Sequence, residues 1–280
     1  FTVFAPTNDA FATLLSDTGL DLNNLTDAEE EVVRNILLNH VIIGDNIEAQ
    51  TLIDAGSGYA STASPGPENT TLSIYFNVNN GVVELNGGTS VTGGANVTTP
   101  NVTATNGIIH VVDKVIARPN IATFATTNSA LSILVDALAY ADTGSPTVPW
   151  ISTVSNSDAG PFTVFAPTND AFVNLLGELE ISALTDLDQA TVDAVLTYHV
   201  VNGANVTSSE LASGTVGTIG GDITADTSNF TLTDANGRVS NIVTSLVDIQ
   251  GTNGVVQEID RGILAPQELE RWRKITSVYY

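Results

Sequence analysis

Phe1-Thr2-Val3-Phe4-Ala5-Pro6-Thr7-Asn8-Asp9-Ala10-Phe11 recurs letter for letter from Phe162 to Phe172, at an offset of 161 residues. A run of identity that long is not coincidence, and a period of that size is a whole domain rather than a solenoid unit. The register can be followed further. Val33, Ile36, Leu37 and His40 match Val192, Val195, Leu196 and His199 at an offset of 159, and Asn79-Asn80-Gly81 matches Ala235-Asn236-Gly237 at 156. Thr105-Asn106-Gly107-Ile108-Ile109-His110 matches Thr252-Asn253-Gly254-Val255-Val256-Gln257 at 147. Because the offset only shrinks, the first repeat carries extra residues. Most fall between Gly87 and Asn106, where the Gly-, Thr- and Asn-rich composition predicts an exposed loop.

The second repeat holds a segment the first lacks. In Ala130–Tyr140, Leu131, Leu134, Val135 and Leu138 recur at helical spacing. Nothing before Phe1 plays that part, and the chain has no Met. It therefore reads as a fragment or processed product whose first domain lacks its opening helix.

Within each repeat, helices come before strands. Phe1–Phe4 is a short β run ended by Pro6, and Thr7-Asn8 is placed to cap a helix carrying Phe11, Leu14 and Leu15. Thr26-Asp27-Ala28-Glu29 has capping-box spacing, and Thr185–Asp188 opens the matching helix. The pattern then changes to period two: Leu72, Ile74, Phe76 and Val78, a turn at Asn80-Gly81, then Val83 and Leu85. Phe230, Leu232, Asn236-Gly237 and Val239 repeat that hairpin. Final strands are expected over Ile108–Ile116 and Val255–Leu264, each closed by a proline. This order argues for an α+β fold.

Composition bounds the setting. Against 31 acids stand only 8 bases, for a net charge of −23. Such a surface repels nucleic acid and anionic lipid, and it suits a saline or calcium-containing exterior. Without cysteine there are neither disulfides nor thiolate metal sites. No apolar run reaches the roughly 18 residues that span a bilayer, so no membrane insertion is expected within this chain, and no export signal is present in it.

The three ordered motifs resemble those of the fasciclin domain. The opening run is similar to the family's first signature, Asn106–Ile116 to its second, and Tyr198-His199-Val200 to its central tyrosine-histidine motif, written Asn39-His40-Val41 in the first repeat. The likeness divides the chain into domain 1 over 1–118, domain 2 over 119–266 and a tail of unknown role over 267–280. It implies a wedge-like antiparallel β-sandwich with helices packed along it, repeated in tandem. It also implies an extracellular, cell-surface or periplasmic adhesion or matrix protein, not an enzyme. The expected partners are other surface or matrix proteins, glycans, or a second copy of the chain. The residues carrying the motifs are Phe4, Pro6, Thr7, Asn8, Phe11, His40, His110 and Asp113, then Phe165, Pro167, Thr168, Asn169, Phe172, Tyr198, His199 and Asp260. Gln257 departs from the pattern, so no chemistry that needs the second-motif histidine is shared by both repeats.

No catalytic, cofactor or metal residue is assigned. His40 and His199 share a helical stripe with apolar residues and read as core histidines with a hydrogen-bond partner; His110 reads the same way in a strand. Gly56-Ser57-Gly58 is the nearest approach to a nucleophile turn and lacks the five-residue form. Asp186, Asp188 and Asp193, or Asp222, Asp226 and Asp234, lack the calcium-loop spacing and read as caps and solvated charges. The rival function is a secreted hydrolase acting on polysaccharide or ester, and a third reading is a surface spacer with no ligand of its own.

Overall fold

The computed structural model describes residues 1–266; the tail at 267–280 lies outside the described residues. By spatial contact the chain divides into 1–127 with 250–252, and 128–249 with 253 onward.

In the first unit, β1 (Thr2–Pro6) leads into α1 (Asn8–Thr18) and α2 (Asp27–Leu38), followed by β2 (Val41–Ile42) and α3 (Ala49–Ala55). The strands β3 (Ser57–Pro65), β4 (Thr71–Asn79), β5 (Val82–Leu85), β6 (Ala95–Ala104) and β7 (Gly107–Val112) come next, then α4 (Ile121–Thr127). Thr7 Oγ1 caps α1 by accepting from Ala10 N at 3.2 Å. At α2 both bonds of the capping box form between Thr26 and Glu29. The Asn80-Gly81 turn joins the paired Asn79 and Val82, with φ of 50° and 80° at its two central residues, the left-handed conformation this dipeptide tolerates.

The seven strands run in the order β2-β1-β7-β6-β5-β4-β3. The α+β class stands, with one correction: β1 and β7 pair in parallel, while the other neighbours are antiparallel. Period-two alternation fixes which face a residue takes, not the direction of its neighbour, and β1 meets β7 only after a crossover of a hundred residues. The two signature motifs are thus hydrogen-bonded side by side, Thr2 opposite Ile108 and Phe4 opposite His110.

Another correction concerns 87–106. Only its first part is loop, because Ala95–Ala104 forms β6 between β5 and β7. Thr and Val suit a pleated strand once tertiary pairing is available. Register shifts between Val97 and Val102, around Pro100, which has no N–H to give, bend the strand. The sheet turns over on itself there. Phe4 and Ile42 from one end consequently share a core with Ile74, Phe76, Val83 and Leu85 from the other. The opposite face of β4 is covered as well: Tyr75 lies 5.0 Å from the Tyr59 ring, which meets Phe124 of α4 edge-on at 5.7 Å.

The second unit opens with α5 (Ser132–Asp142) and α6 (Trp150–Ser155). Then follow β8 (Phe162–Pro167), α7 (Asn169–Glu178), α8 (Gln189–Thr197) and β9 (Val200–Asn202). The remaining strands are β10 (Gly214–Gly217), β11 (Asp222–Asp226), β12 (Thr231–Thr233), β13 (Val239–Asn241), β14 (Ile249–Gly251) and β15 (Gly254–Ile259). They form two four-stranded sheets, β10-β11-β12-β13 and β14-β15-β8-β9, again with the two motif strands β8 and β15 parallel. The core draws on both sheets, with Phe165 and Ile259 against Ile223, Leu232 and Ile242.

Both final strands stop short of the expected ends, β7 at Val112 and β15 at Ile259. The reason lies in what the next residues bind.

Candidate functional site

After β7, Asp113 leaves the ladder. Its carboxylate accepts from Asn96 N at 2.7 Å and Asn96 Nδ2 at 2.9 Å, and its own N–H returns to Asn96 O at 3.1 Å. Asp260 does the same with Asn241, at 2.7, 2.6 and 3.1 Å. Burial pushes the Asp113 carboxyl up, but the bonds from Asn96 and from Lys114 more than offset it, so it stays below the ordinary carboxylate value.

Three residues later the backbone meets a histidine. His40 Nε2 accepts from Ile116 N at 2.9 Å, and its Nδ1 donates to Ile36 O at 2.7 Å. His199 accepts from Ile263 N at 2.9 Å and donates to Val195 O at 2.9 Å. Each ring therefore ties the C-terminal turn of α2 or α8 to the segment after the second motif. Burial pushes the pKa of His40 below its usual value and that of His199 down to about 4, so both are neutral imidazoles with both nitrogens occupied. They have no proton or lone pair to offer a substrate.

His110 and Gln257 show one task done by two residues. His110 Nε2 lies 2.9 Å from Ile47 O, to which it donates, and its Nδ1 accepts from Asn101 N at 3.4 Å. Gln257 Nε2 donates to Val206 O at 3.3 Å, and its Oε1 accepts from Asp248 N at 2.9 Å. Ile47 matches Val206, and Asn101 matches Asp248, in the same repeat register. The amide supplies the donor and acceptor that the imidazole supplies in the first repeat.

The remaining motif residues serve the frame. Phe4 and Phe165 are buried, and Phe4 stacks on His110 with centroids 5.6 Å apart. Phe172 is buried while Phe11 is only half-covered, and Pro167 is buried against a half-buried Pro6. Thr168 caps α7 through Ala171 N at 3.3 Å. Asn169 Oδ1 accepts from Ile133 N at 2.9 Å and its Nδ2 donates to Ser129 O at 2.9 Å, which seats the start of α5; Asn8 is exposed. Tyr198 packs over Gly220, where an added Cβ would come within 2.4 Å of its ring, and Asn39 at the matching position donates to Ala117 O at 3.0 Å.

Sequence reasoning passed over two further pairs. Thr2 Oγ1 donates to Asp45 O and accepts from Ile47 N, as Thr163 does with Ala204 O and Val206 N. Asn101 and Asp248 both adopt left-handed φ, 60° and 56°, and their side chains accept from Ala49 N and Ser208 N. Thr2 and Thr163 lie inside the identical run, and Asn101 and Asp248 fall opposite each other at the final offset. Either signal marks them.

The serine of Gly56-Ser57-Gly58 follows α3 and enters β3, a helix-to-strand order opposite to that of a nucleophile elbow. Five of the six acids read as caps and solvated charges make hydrogen bonds or ion pairs within their own domain. Asp188 caps α8, Asp186 accepts from Ser182 N and Ala183 N, and Asp193 accepts from Trp150 Nε1 at 2.7 Å. Asp234 pairs with the buried Arg238 at 3.2 Å, and Asp226 accepts from Ser228 N. Among the described residues no three His, Asp or Glu side chains converge as a metal site would need.

The sequence profile of the fasciclin domain matches residues 1–118 and again 129–265. The chain belongs to the fasciclin domain family. A Synechocystis relative, protein sll1483, is 35% identical over 146 residues, which cover 51% of this chain and 78% of the relative. Human periostin is 29% identical over 97% of this chain, and pig transforming growth factor-beta-induced protein ig-h3 is 26% identical over 93%. The chain spans 29% of the former's length and 34% of the latter's. Among solved structures, a FAS1 domain pair from the insect cell adhesion molecule fasciclin I matches with a TM-score of 0.59 at 18% identity, over 96% of this chain and 90% of that one. The tandem of two fasciclin domains and the mixed helix-and-sheet class are thereby shown.

Proposed function

We propose that this chain is an extracytoplasmic adhesion or matrix-contact protein, acting by multivalent surface binding through its two fasciclin domains and not by catalysis. One observation carries the reading: the family-motif histidines, aspartates and threonines are spent on backbone groups of the domain itself. What is left for a partner is surface. The solved pair from an insect adhesion molecule supports the same direction. No single described helix is long and apolar enough to cross a membrane. An extracellular, cell-surface or periplasmic setting fits the acidic surface.

Two modest binding faces in one chain raise effective concentration at a surface without either binding tightly. The first candidate face is the projecting region of 87–106, where Val91 is fully exposed and β6 turns Thr98–Ala104 outward. The other candidate is the surface beside the two Phe-Ala-Pro-Thr-Asn runs. Surface and matrix proteins, glycans and a second copy are the partner classes this supports.

Sedimentation velocity across protein concentration, with calcium and with chelator in seawater-like salt, tests the homophilic form. Concentration-dependent association is expected. Retention of matrix polymers or glycans on immobilised chain tests the heterophilic form. A strict monomer that also retains none of them would sink the reading.

A further inference from the structure

The second domain holds an apolar cavity of about 180 Å³ between α6 and the edge of its sheet, with Trp150 and Val154 on one side and Phe162, Val164 and Val200 on the other. Val148, ahead of α6, and Ile219, ahead of β11, complete its apolar wall. Protein interiors normally close a void of this size by moving side chains into it. Here the frame is tied on each side. Trp150 Nε1 donates to Asp193 Oδ1 at 2.7 Å, which holds the indole against α8 and keeps it from swinging into the space. Trp150 N and Ile151 N donate to the two Asp142 carboxylate oxygens at 2.8 and 2.9 Å, fixing the start of α6 to the end of α5. Across the cavity, Ile219 N donates to Val200 O at 2.9 Å. The lining atoms therefore forgo dispersion contacts that an apolar guest would restore.

The lining also states what the guest is. An apolar cavity of about 150 Å³ stays dry and takes up benzene, so this one has room for a single six-membered ring with a small substituent. The Trp150 and Phe162 rings offer it aromatic neighbours. Among the described residues none that lines the cavity is charged, and a chain of net charge −23 disfavours an anion. Polarity is confined to the half-buried Thr153 and the exposed Asn202, which set a hydroxyl and an amide where the cavity meets solvent. Mostly apolar walls with a few polar groups to orient the ligand are the usual form of a small-molecule site.

We propose that this cavity binds a small neutral phenol, its ring between α6 and β8 and its hydroxyl at Asn202 and Thr153. The inference goes beyond the adhesion reading and does not rest on it.

The indole N–H resonance of Trp150, assigned in a Trp272→Phe chain and followed while p-cresol is added, tests it at the site itself. A saturable shift is expected, together with a rise in melting temperature. Val148→Phe and Ile219→Phe, each placing a ring in the cavity from a half-buried position, should weaken binding at least tenfold while the domain melts no lower. Asn202→Ala should weaken p-cresol several-fold and leave toluene unchanged. The carboxylate 4-methylbenzoate should bind at least tenfold more weakly than p-cresol. Absence of a saturable Trp150 shift would overturn the proposal, as would a shift that survives both filling substitutions. Equal binding of 4-methylbenzoate and p-cresol would overturn the assignment to a neutral phenol.

Discussion

His199 is held neutral by burial that pushes its pKa to about 4, from 6.5 when solvated. Between those values the unfolded chain binds more protons than the folded one, so stability falls as pH drops from about 6.5 towards 4. The loss is at most roughly 1.4 kcal/mol per pH unit, or about 3 kcal/mol across the window. Urea melts from pH 7 to 4, followed through Trp150 fluorescence with Trp272→Phe, should show this slope, and His199→Gln should flatten it. His110 offers the complementary test. Since Gln257 already supplies the same donor and acceptor in the second repeat, His110→Gln should cost less than about 1 kcal/mol. His110→Ala leaves Ile47 O and Asn101 N without that partner and should cost about 2–3 kcal/mol. Equal losses in chemical denaturation would contradict this account of the ring.

At the scale of elements, the first motif is a strand, a proline and a helix cap in succession. The same residues that pair β8 with β15 also start α7, because Thr168 N donates to Ile259 O while Thr168 Oγ1 accepts from Ala171 N. Thr168→Ala should therefore cost about 1 kcal/mol, and Thr168→Asp, which restores an acceptor, should recover most of it. Thermal denaturation of the two variants checks this. The α2 and α8 helices illustrate the limit of local reading. Their sequences carry the same apolar stripe, and α8 buries its stripe under α5. Amphipathic spacing says which face wants cover; it does not say which element supplies it.

At the scale of the whole molecule, each domain has its own core, Phe4 in one and Phe165 in the other. Phe4→Ala and Phe165→Ala should each destabilise their own domain by about 3–5 kcal/mol. Scanning calorimetry should resolve two transitions, one for each core. Phe4→Ala should shift one transition and Phe165→Ala the other. A single transition displaced equally by both would mean the domains unfold as one unit.

The repeat, the helix caps, the Asn80-Gly81 turn and the α+β order were legible in the chain because each rests on local chemistry: a side-chain oxygen three residues from an N–H, or a left-handed φ. So was the interior character of His40 and His199, through spacing along a stripe. Three things were not. The parallel union of β1 with β7, the conversion of 95–104 from apparent loop to β6, and the shared office of His110 and Gln257 all join residues distant in sequence. A strand's direction, its partner and the object of a buried donor depend on what the folded chain brings alongside. Only the tertiary structure decided them, because hydrogen bonds between distant backbone groups leave no periodicity in the sequence that makes them.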